Sequence, residues 1–467
     1  MKSQYKHFLL TVIGYFAGNV FTKLISFILL PLYTKLIDPE IYGIYGVNMT
    51  IVQLVVGIVY LAIWNAVFRY AAESDTDEGR YEVISTGLPV MWFSSVLCTI
   101  VILVINLFWD FSNPYLVCIY AIANGFQYFY GYVARSMKDN RIFIISGCVN
   151  STVNLLMNWI GIAYLHYGIE VLYCSYIMGT LIQIFIIEFK FHVLRHFKRG
   201  YVQKARLNKL MKFGAPLALN SVMQWLLTGL TQIMIAYILG TYYNGLFSVA
   251  VKFATLISLM VSVFEYAWLE LAYDIAKNNN SALYYKRVFN MLFGVLMFGV
   301  SALTLVIKVL FPYFIAEAYY ECLEIIPHIT IYACANAFAS FSASIYMSYK
   351  AVNILMVSSL VSGGTNFLLL LLLVPFFGFQ GALLSLALAS VLMMLIRIVV
   401  LHKKYGIKLD LPTIFYIILI PVSCFVFYMT DKVLIDMLAI FVCAVLFLFA
   451  VRNMYFKYMV VKHDGTI

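Results

Sequence analysis

Two lysines stand where lysines are costly. Lys23 and Lys252 each fall inside a long apolar run, and a lysine at the centre of a membrane-spanning helix costs about 2.5–3.5 kcal/mol on insertion scales. Spans are expected at 10–32 and 244–268. Lys23 then lies about nine residues, and Lys252 about eight, from the ends expected to face outward, which is roughly 12–13 Å deep. Two ammonium groups at one depth, on helices from opposite halves of the chain, could hold one anionic group between them, and the sequence puts no evident acid at that depth. The plainer alternative is that each lysine snorkels, or bonds to backbone carbonyls and nearby tyrosines. Arg69 and Arg135 end apolar runs on the inner side, where they either anchor the interface or meet an anionic headgroup at an inner mouth. Glu265, near the inner end of its span, either pairs with a loop base or acts as a gating or coupling carboxylate. Amides within the spans include Asn48, Gln53, Asn65, Asn124, Gln127, Asn150, Asn154, Asn158, Asn220, Gln224, Gln232 and Asn366. They serve as interhelical hydrogen bonds or line a hydrated cavity that suits sugars. Asn48, Asn154, Asn220, Gln224 and Gln232 are the candidates for cavity or gating positions.

The elements that must place these residues follow from composition. Of 467 residues 64% are hydrophobic and 11% charged, with a mean hydropathy of +0.92, against roughly 45–50% apolar and about 25% charged in soluble domains. There are too few polar side chains to cover a water-facing surface, and 37 Phe with 36 Tyr suit helices facing lipid and one another. The chain therefore reads as an all-α integral membrane protein. The first apolar run, from about Phe8, is too long and too soon followed by others to be a cleaved signal, and is expected as a retained helix. The eight cysteines sit mostly in apolar runs without metal-ligand spacing, and the seven histidines are dispersed. No Walker A pattern, convergent His/Arg set or paired carboxylates stand out, so no metal, cofactor or catalytic centre is expected.

Spans of about 20 apolar residues are expected near 10–32, 44–67, 84–107, 114–134, 142–164, 169–189, 213–237, 244–268, 288–310, 325–348, 354–375, 379–400, 411–430 and 433–451, about fourteen in all. With both termini in the cytoplasm, 26 of the 31 lysines and arginines fall on the inner side, three on the outer side and two within spans, as the positive-inside rule requires. The net charge of +10 is thus a topology signal rather than a sign of nucleic-acid binding. Its densest stretch runs from Lys190 to Lys212. That stretch is either an inside anchor between two halves or a surface that gathers anionic lipid headgroups.

Internal similarity divides the chain. LIDPEIYGIYGVNMTIVQLV (36–55) and ILGTYYNGLFSVAVKFATLI (238–257) align Gly43 with Gly245 and Val47 with Val249. A second, weaker pair sets 167–186 against 377–396, with Asn154 and Asn366 upstream of each. Chance likeness among apolar, glycine-containing segments is the alternative. The expected architecture is two six-helix lobes, 1–189 and 213–403, joined by a basic linker at 190–212 and followed by two further helices within 404–467. The lobes are related by a pseudo-two-fold along the membrane normal, as in alternating-access transporters.

The segments KLISFILLPLYTKLIDPEIYGIY (23–45), FGAPLALN (213–220) and GLFSVAVKFA (245–254), with Asn366 to Pro375, Gly378, Gly381 and Ala382, form an ordered set. This set resembles the polysaccharide-export flippases, the O-antigen and capsule flippase-like members of the multidrug/oligosaccharidyl-lipid/polysaccharide exporter superfamily. Lipid II flippases and MATE exporters are their relatives. The resemblance spans about the first 400 residues. Where many relatives carry an acid–base pair late in the seventh helix, this chain has Thr231 and Gln232. The resemblance implies a flippase of the cell membrane that moves a polyprenyl-diphosphate-linked oligosaccharide outward. Its partners would be membrane lipids and the glycan polymerase and glycosyltransferases of the same pathway. Lys23 and Lys252 would then clasp the diphosphate. A negative charge moves outward with a gain of about 2.3 kcal/mol per 100 mV, so direction alone demands no coupling ion. A cation-coupled drug exporter would favour an acidic interior. A membrane glycan polymerase or ligase would need catalytic groups in a sizeable outer loop, and the outer loops here are about 4–15 residues long. A purely structural role in an envelope complex leaves the buried lysines unexplained.

Overall fold

In the computed structural model the described residues are 27–275, 281–349 and 351–407, with Ile25 and scattered positions between 419 and 452; side chains are described outside 260–275, 281–284, 287–295, 348 and 352. Among the described residues there is no strand. Helices run over Leu30–Leu36 (α1), Pro39–Val59 (α2), Ile63–Ala72 (α3), Asp77–Ile105 (α4), Pro114–Ser136 (α5), Asn140–Asn158 (α6), Glu170–Phe191 (α7), Lys204–Ile238 (α8), Thr241–Ile275 (α9), Ser281–Phe314 (α10), Cys322–Ser348 (α11), Val352–Tyr405 (α12) and Leu434–Val445 (α13). Eight of the described helices are long and apolar enough to cross a membrane. This is an all-α, multi-pass membrane protein. The span at 10–32 lies largely outside the described residues, as does most of 411–430.

Local chemistry sets the helix ends. Pro39 and Pro114 occupy first turns, where a missing N–H costs nothing. Thr76, Asn113 and Asp139 cap α4, α5 and α6 by accepting from Gly79, Leu116 and Ile142 backbone N–H groups. Phe93, Val96, Ile100 and Val104 form an exposed stripe on α4 that suits lipid, while Met91, Cys98 and Ile102 are buried.

The span expected as continuous over 44–67 is broken. Between α2 and α3, Leu61 and Ala62 adopt left-handed φ of 50° and 47°, and no glycine or proline marks the place. Such a conformation costs roughly 1–2 kcal/mol per residue. Neighbouring helices offset it: Ser94 Oγ donates to the Val59 carbonyl (3.0 Å) and Ser95 Oγ bonds Tyr60 Oη (2.9 Å). Gly125 leaves room for the Tyr60 ring and Gly214 for the Leu61 carbonyl. The two expected spans at 354–375 and 379–400 form α12, kinked at Gly378 (φ 54°) just after Pro375.

The chain forms two compact units, 1–245 and 246–467, dividing in the first turn of α9. In the first, α7 packs on α5 and α6, α5 on α3 and α4, and α8 along α2 and α3. Thus α8, which the repeat assigns to the second lobe, packs here with the first. In the second unit α12 packs on α11 and α11 on α10. There the Lys308 ammonium pairs with buried Asp436 at 3.2 Å and lies over the Phe427 ring. The pair ties the late helix α13 to α10.

Within the first unit the repeated segments meet. A Cβ on Gly43 would collide with the Thr241 carbonyl, and one on Gly245 with the Pro39 carbonyl. One separation, 202 residues, relates both Gly43 to Gly245 and Pro39 to Thr241, so the contacts are reciprocal. Asn244 Nδ2 completes the clasp by donating to the Gly43 carbonyl (2.6 Å). Gly43→Val should therefore destabilise the detergent-solubilised protein by about 1–3 kcal/mol, the scale of overpacking. The measurement is the thermal unfolding midpoint, with Gly57→Val, at an open position, as the unaffected comparison.

Candidate functional site

The first unit holds an amide and tyrosine ladder built on α2, α5, α6 and α7. Asn48 is fully buried. Its Nδ2 donates to Tyr173 Oη (2.8 Å) and its Oδ1 accepts from Trp109 Nε1 (3.3 Å). Tyr173 is edge-on to Tyr45 and to Tyr120, and Tyr120 stacks on Tyr176 at 4.1 Å. The Tyr176 hydroxyl donates to Gln127 Oε1 (2.5 Å) and accepts from Asn124 Nδ2 (2.6 Å). Gln183 Oε1 then takes two donors, Gln127 Nε2 at 3.1 Å and Asn150 Nδ2 at 2.6 Å. Tyr173, Tyr176 and Gln183 recur on one face of α7 at helical spacing, so a single helix side aligns the row. Nearby, Asn154 and Asn158 both donate to Ser175 Oγ, at 3.4 and 2.7 Å.

The candidate residues thus occupy different surroundings. Asn48 and Asn154 are engaged between helices. Gln232 Oε1 accepts from Thr50 Oγ1, joining α8 to α2, and Trp225 Nε1 donates to the Thr50 carbonyl (3.0 Å). Asn220 is half-buried and Gln224 exposed on α8. Arg69 is exposed, pairs with Glu73 at 3.3 Å and lies over the Phe213 ring at 4.8 Å. Arg135 lies over Phe68, Tyr132 and Phe143 at 4.9–5.6 Å. In the second unit Lys252 is half-buried on α9, and among the described residues no acid pairs with it. Lys23 and the Glu265 side chain lie outside what the structure describes.

Within the basic linker, Arg206 pairs with Glu82 (2.5 Å), and Lys198 Nζ donates to Tyr201 Oη (3.1 Å), which raises the lysine pKa above its ordinary value. Arg195, Arg199, Lys204, Lys209 and Lys212 remain exposed.

The sequence does not show how two further cations are held. Arg397, near the inner end of the span expected at 379–400, is buried in the second unit. Its Nε and Nη2 donate to Ser358 and Ser359 Oγ (2.9 and 3.1 Å) and its Nη1 to the Ala339 carbonyl (2.5 Å). Hydroxyls and a carbonyl solvate it in place of water. The run SS at 358–359 inside an apolar span is the one sequence signal for it. Lys308 is held through its ion pair with Asp436.

The pattern of the polysaccharide biosynthesis protein family matches residues 9–269. No curated protein matches the chain. Among solved structures, the lipid II flippase MurJ in an inward closed conformation is similar with a TM-score of 0.69 and 13% identity, over 97% of this chain and 100% of that one. An inward-facing multidrug resistance MATE family transporter of the MOP superfamily gives 0.63 and 13%, over 86% and 95%. An outward-facing one gives 0.61 and 13%, over 88% and 95%. At such identity these likenesses establish the fold.

Gln183→Ala leaves Asn150 and Gln127 donors without their acceptor, at a cost of about 1–3 kcal/mol. Thermal unfolding should show that loss, while Gln224→Ala, on an exposed side chain, stays within about 0.5 kcal/mol of the parent.

Proposed function

Since the chain belongs to the polysaccharide biosynthesis protein family, we propose that it carries a polyprenyl-diphosphate-linked oligosaccharide from the inner to the outer leaflet of the cell membrane by alternating access. The observation that carries this reading is Lys252: a half-buried cation on a membrane helix, flanked by buried Val249, Ala250, Phe253 and Ala254. A cation so placed favours an anionic cargo, and Lys23 on the first span is its proposed counterpart at the diphosphate. The exposed bases of 190–212 would gather the headgroup at the inner face, beside Arg69 and Arg135. The reciprocal contacts of Gly43 and Gly245 support the division into two related lobes. The sugar travels through a polar interior while the polyprenyl tail stays in lipid, so the work is transport, with no bond made or broken. The termini are placed in the cytoplasm by the lysine and arginine bias.

The test is a flipping assay with the purified full chain in vesicles that carry a fluorescent polyprenyl-diphosphate oligosaccharide in one leaflet. Transfer is read as loss of access to an impermeant glycosidase. Absence of transfer, together with efflux of cationic drugs by cells expressing the protein, would replace this reading with that of a drug exporter. In the same assay Lys252→Ala should slow transfer about tenfold or more, the scale of one charge-assisted hydrogen bond, and Lys350→Ala should not. Equal rates for the two variants would remove the lysine from the cargo site.

A further inference from the structure

Past the break in the second span, α3 and α5 face each other through a ladder of rings. Trp64 stacks on Tyr128 (4.9 Å between centroids, 22° between planes), and one turn later Phe68 meets Tyr132 edge-on at 5.6 Å. The Arg135 guanidinium closes the row over Phe68 and Tyr132. Asn124, Tyr128, Tyr132 and Arg135 follow one stripe of α5 at helical spacing. Toward the start of the helix the same stripe is shut, with Val117 and Ala121 fully buried. It opens at Tyr128, which is 46% exposed, between half-buried Asn124 and Tyr132.

The same helix has a second exposed face. Ile119, two and a half turns from Tyr128 and so on the opposite side, is exposed together with Tyr115. One helix thus shows two exposed faces of different chemistry. The Ile119 side suits lipid tails. The Tyr128 side offers an aromatic plane backed by Trp64, with an amide on one flank and a guanidinium along the row. A hydrocarbon tail has no use for the amide or the cation. A sugar ring matches both parts, since its axial C–H face lies flat on an aromatic plane and its hydroxyl rim takes hydrogen bonds from amides and guanidinium. The break at Tyr60–Ala62 re-aims α3 so that Trp64 supports the ring from behind.

We propose that the face of Tyr128 turned away from Trp64 is a stacking platform for a sugar ring of the transported glycan, which rests on the flippase reading. The platform holds the ring by its shape and so tolerates different sugars. The lysines act on the anionic linkage and the tyrosine on the glycan, so the two contributions separate by substrate.

The experiment uses the purified full chain in vesicles with two probes: polyprenyl diphosphate bearing N-acetylglucosamine, followed by access to an external diphosphatase that hydrolyses its P–O–P bond, and the same polyprenyl diphosphate without sugar, followed by access to an external phosphatase. Tyr128→Leu, which keeps bulk without the ring, should slow the sugar-bearing probe roughly three- to tenfold, the scale of one aromatic stacking contact, and leave the bare probe unchanged. Tyr128→Phe should match the parent on both, as should Tyr115→Leu on the lipid side. Equal slowing of both probes by Tyr128→Leu, or slowing of neither, overturns the platform. A parent that moves neither probe instead removes the flippase reading. The platform is then decided by titrating the soluble N-acetylglucosamine trimer against tryptophan fluorescence: a change present in the parent and absent in Tyr128→Leu upholds it, and no change in the parent overturns it.

Discussion

A peptide carbonyl or amide inside hydrocarbon has no water to bond, and each one left bare costs several kcal/mol. That constraint explains why the chain is helix throughout its described spans, and also how it departs from helix. At Tyr60–Ala62 the α2 ladder stops inside the span expected at 44–67, and Ser94 of α4 takes up the Val59 carbonyl. Serine and threonine side chains elsewhere fold back on their own helices, as Thr86 does on Glu82 and Thr304 on Val300. Many buried polar groups among the described residues are placed where a neighbour can answer them.

The same logic sorts the side-chain cations. Arg397 is held by two serines and a carbonyl, with no acid pairing with it among the described residues, and Lys308 by a buried aspartate. Both are spoken for within the second unit and read as fastenings between helices. Arg135 lies among rings and Arg69 beside Glu73, each near a helix end. Among the described residues no ion pair, side-chain hydrogen bond or ring contact holds the Lys252 ammonium as these cations are held, which is why it carries the functional reading. The amides divide similarly. Asn48, Asn150 and Gln183 bond one another's neighbours deep between helices, while Asn124 and Gln127 sit at the half-buried margin of the same ladder.

Several helices combine to hold the broken second span. Left-handed Leu61 and Ala62 are tolerated because Gly125 and Gly214 make room and Ser94 and Ser95 supply bonds. The result is a short helix, α3, whose rings stand against α5. Discontinuous helices in membrane transporters commonly frame the ligand path, and here the discontinuity leads directly to the open face of Tyr128.

Much was legible in the sequence, because a bilayer imposes one-dimensional rules. Span length and the glycine pair at 43 and 245 depend on hydropathy and spacing along the chain, and among the described residues most helices lie near their expected bounds, apart from the broken 44–67 and the joined 354–375 and 379–400. The all-α fold followed from that same pattern, and the family from the resemblance carried by 23–45, 213–220 and 245–254. What only the tertiary structure decided depends on neighbours distant in sequence. The break at Leu61–Ala62 has no local signature, since its stabilising groups come from α4, α5 and α8. That Ser358, Ser359 and Ala339 surround Arg397 has no sign in its own span beyond two adjacent serines. Whether an asparagine is a bolt or a binding group was undecidable from its span alone, because that turns on which helix faces it. The sequence by itself determined that polar groups would be few and that each would need an answer inside the membrane. Only packing determined which group answers which, because the partners of a buried amide or cation are chosen in three dimensions.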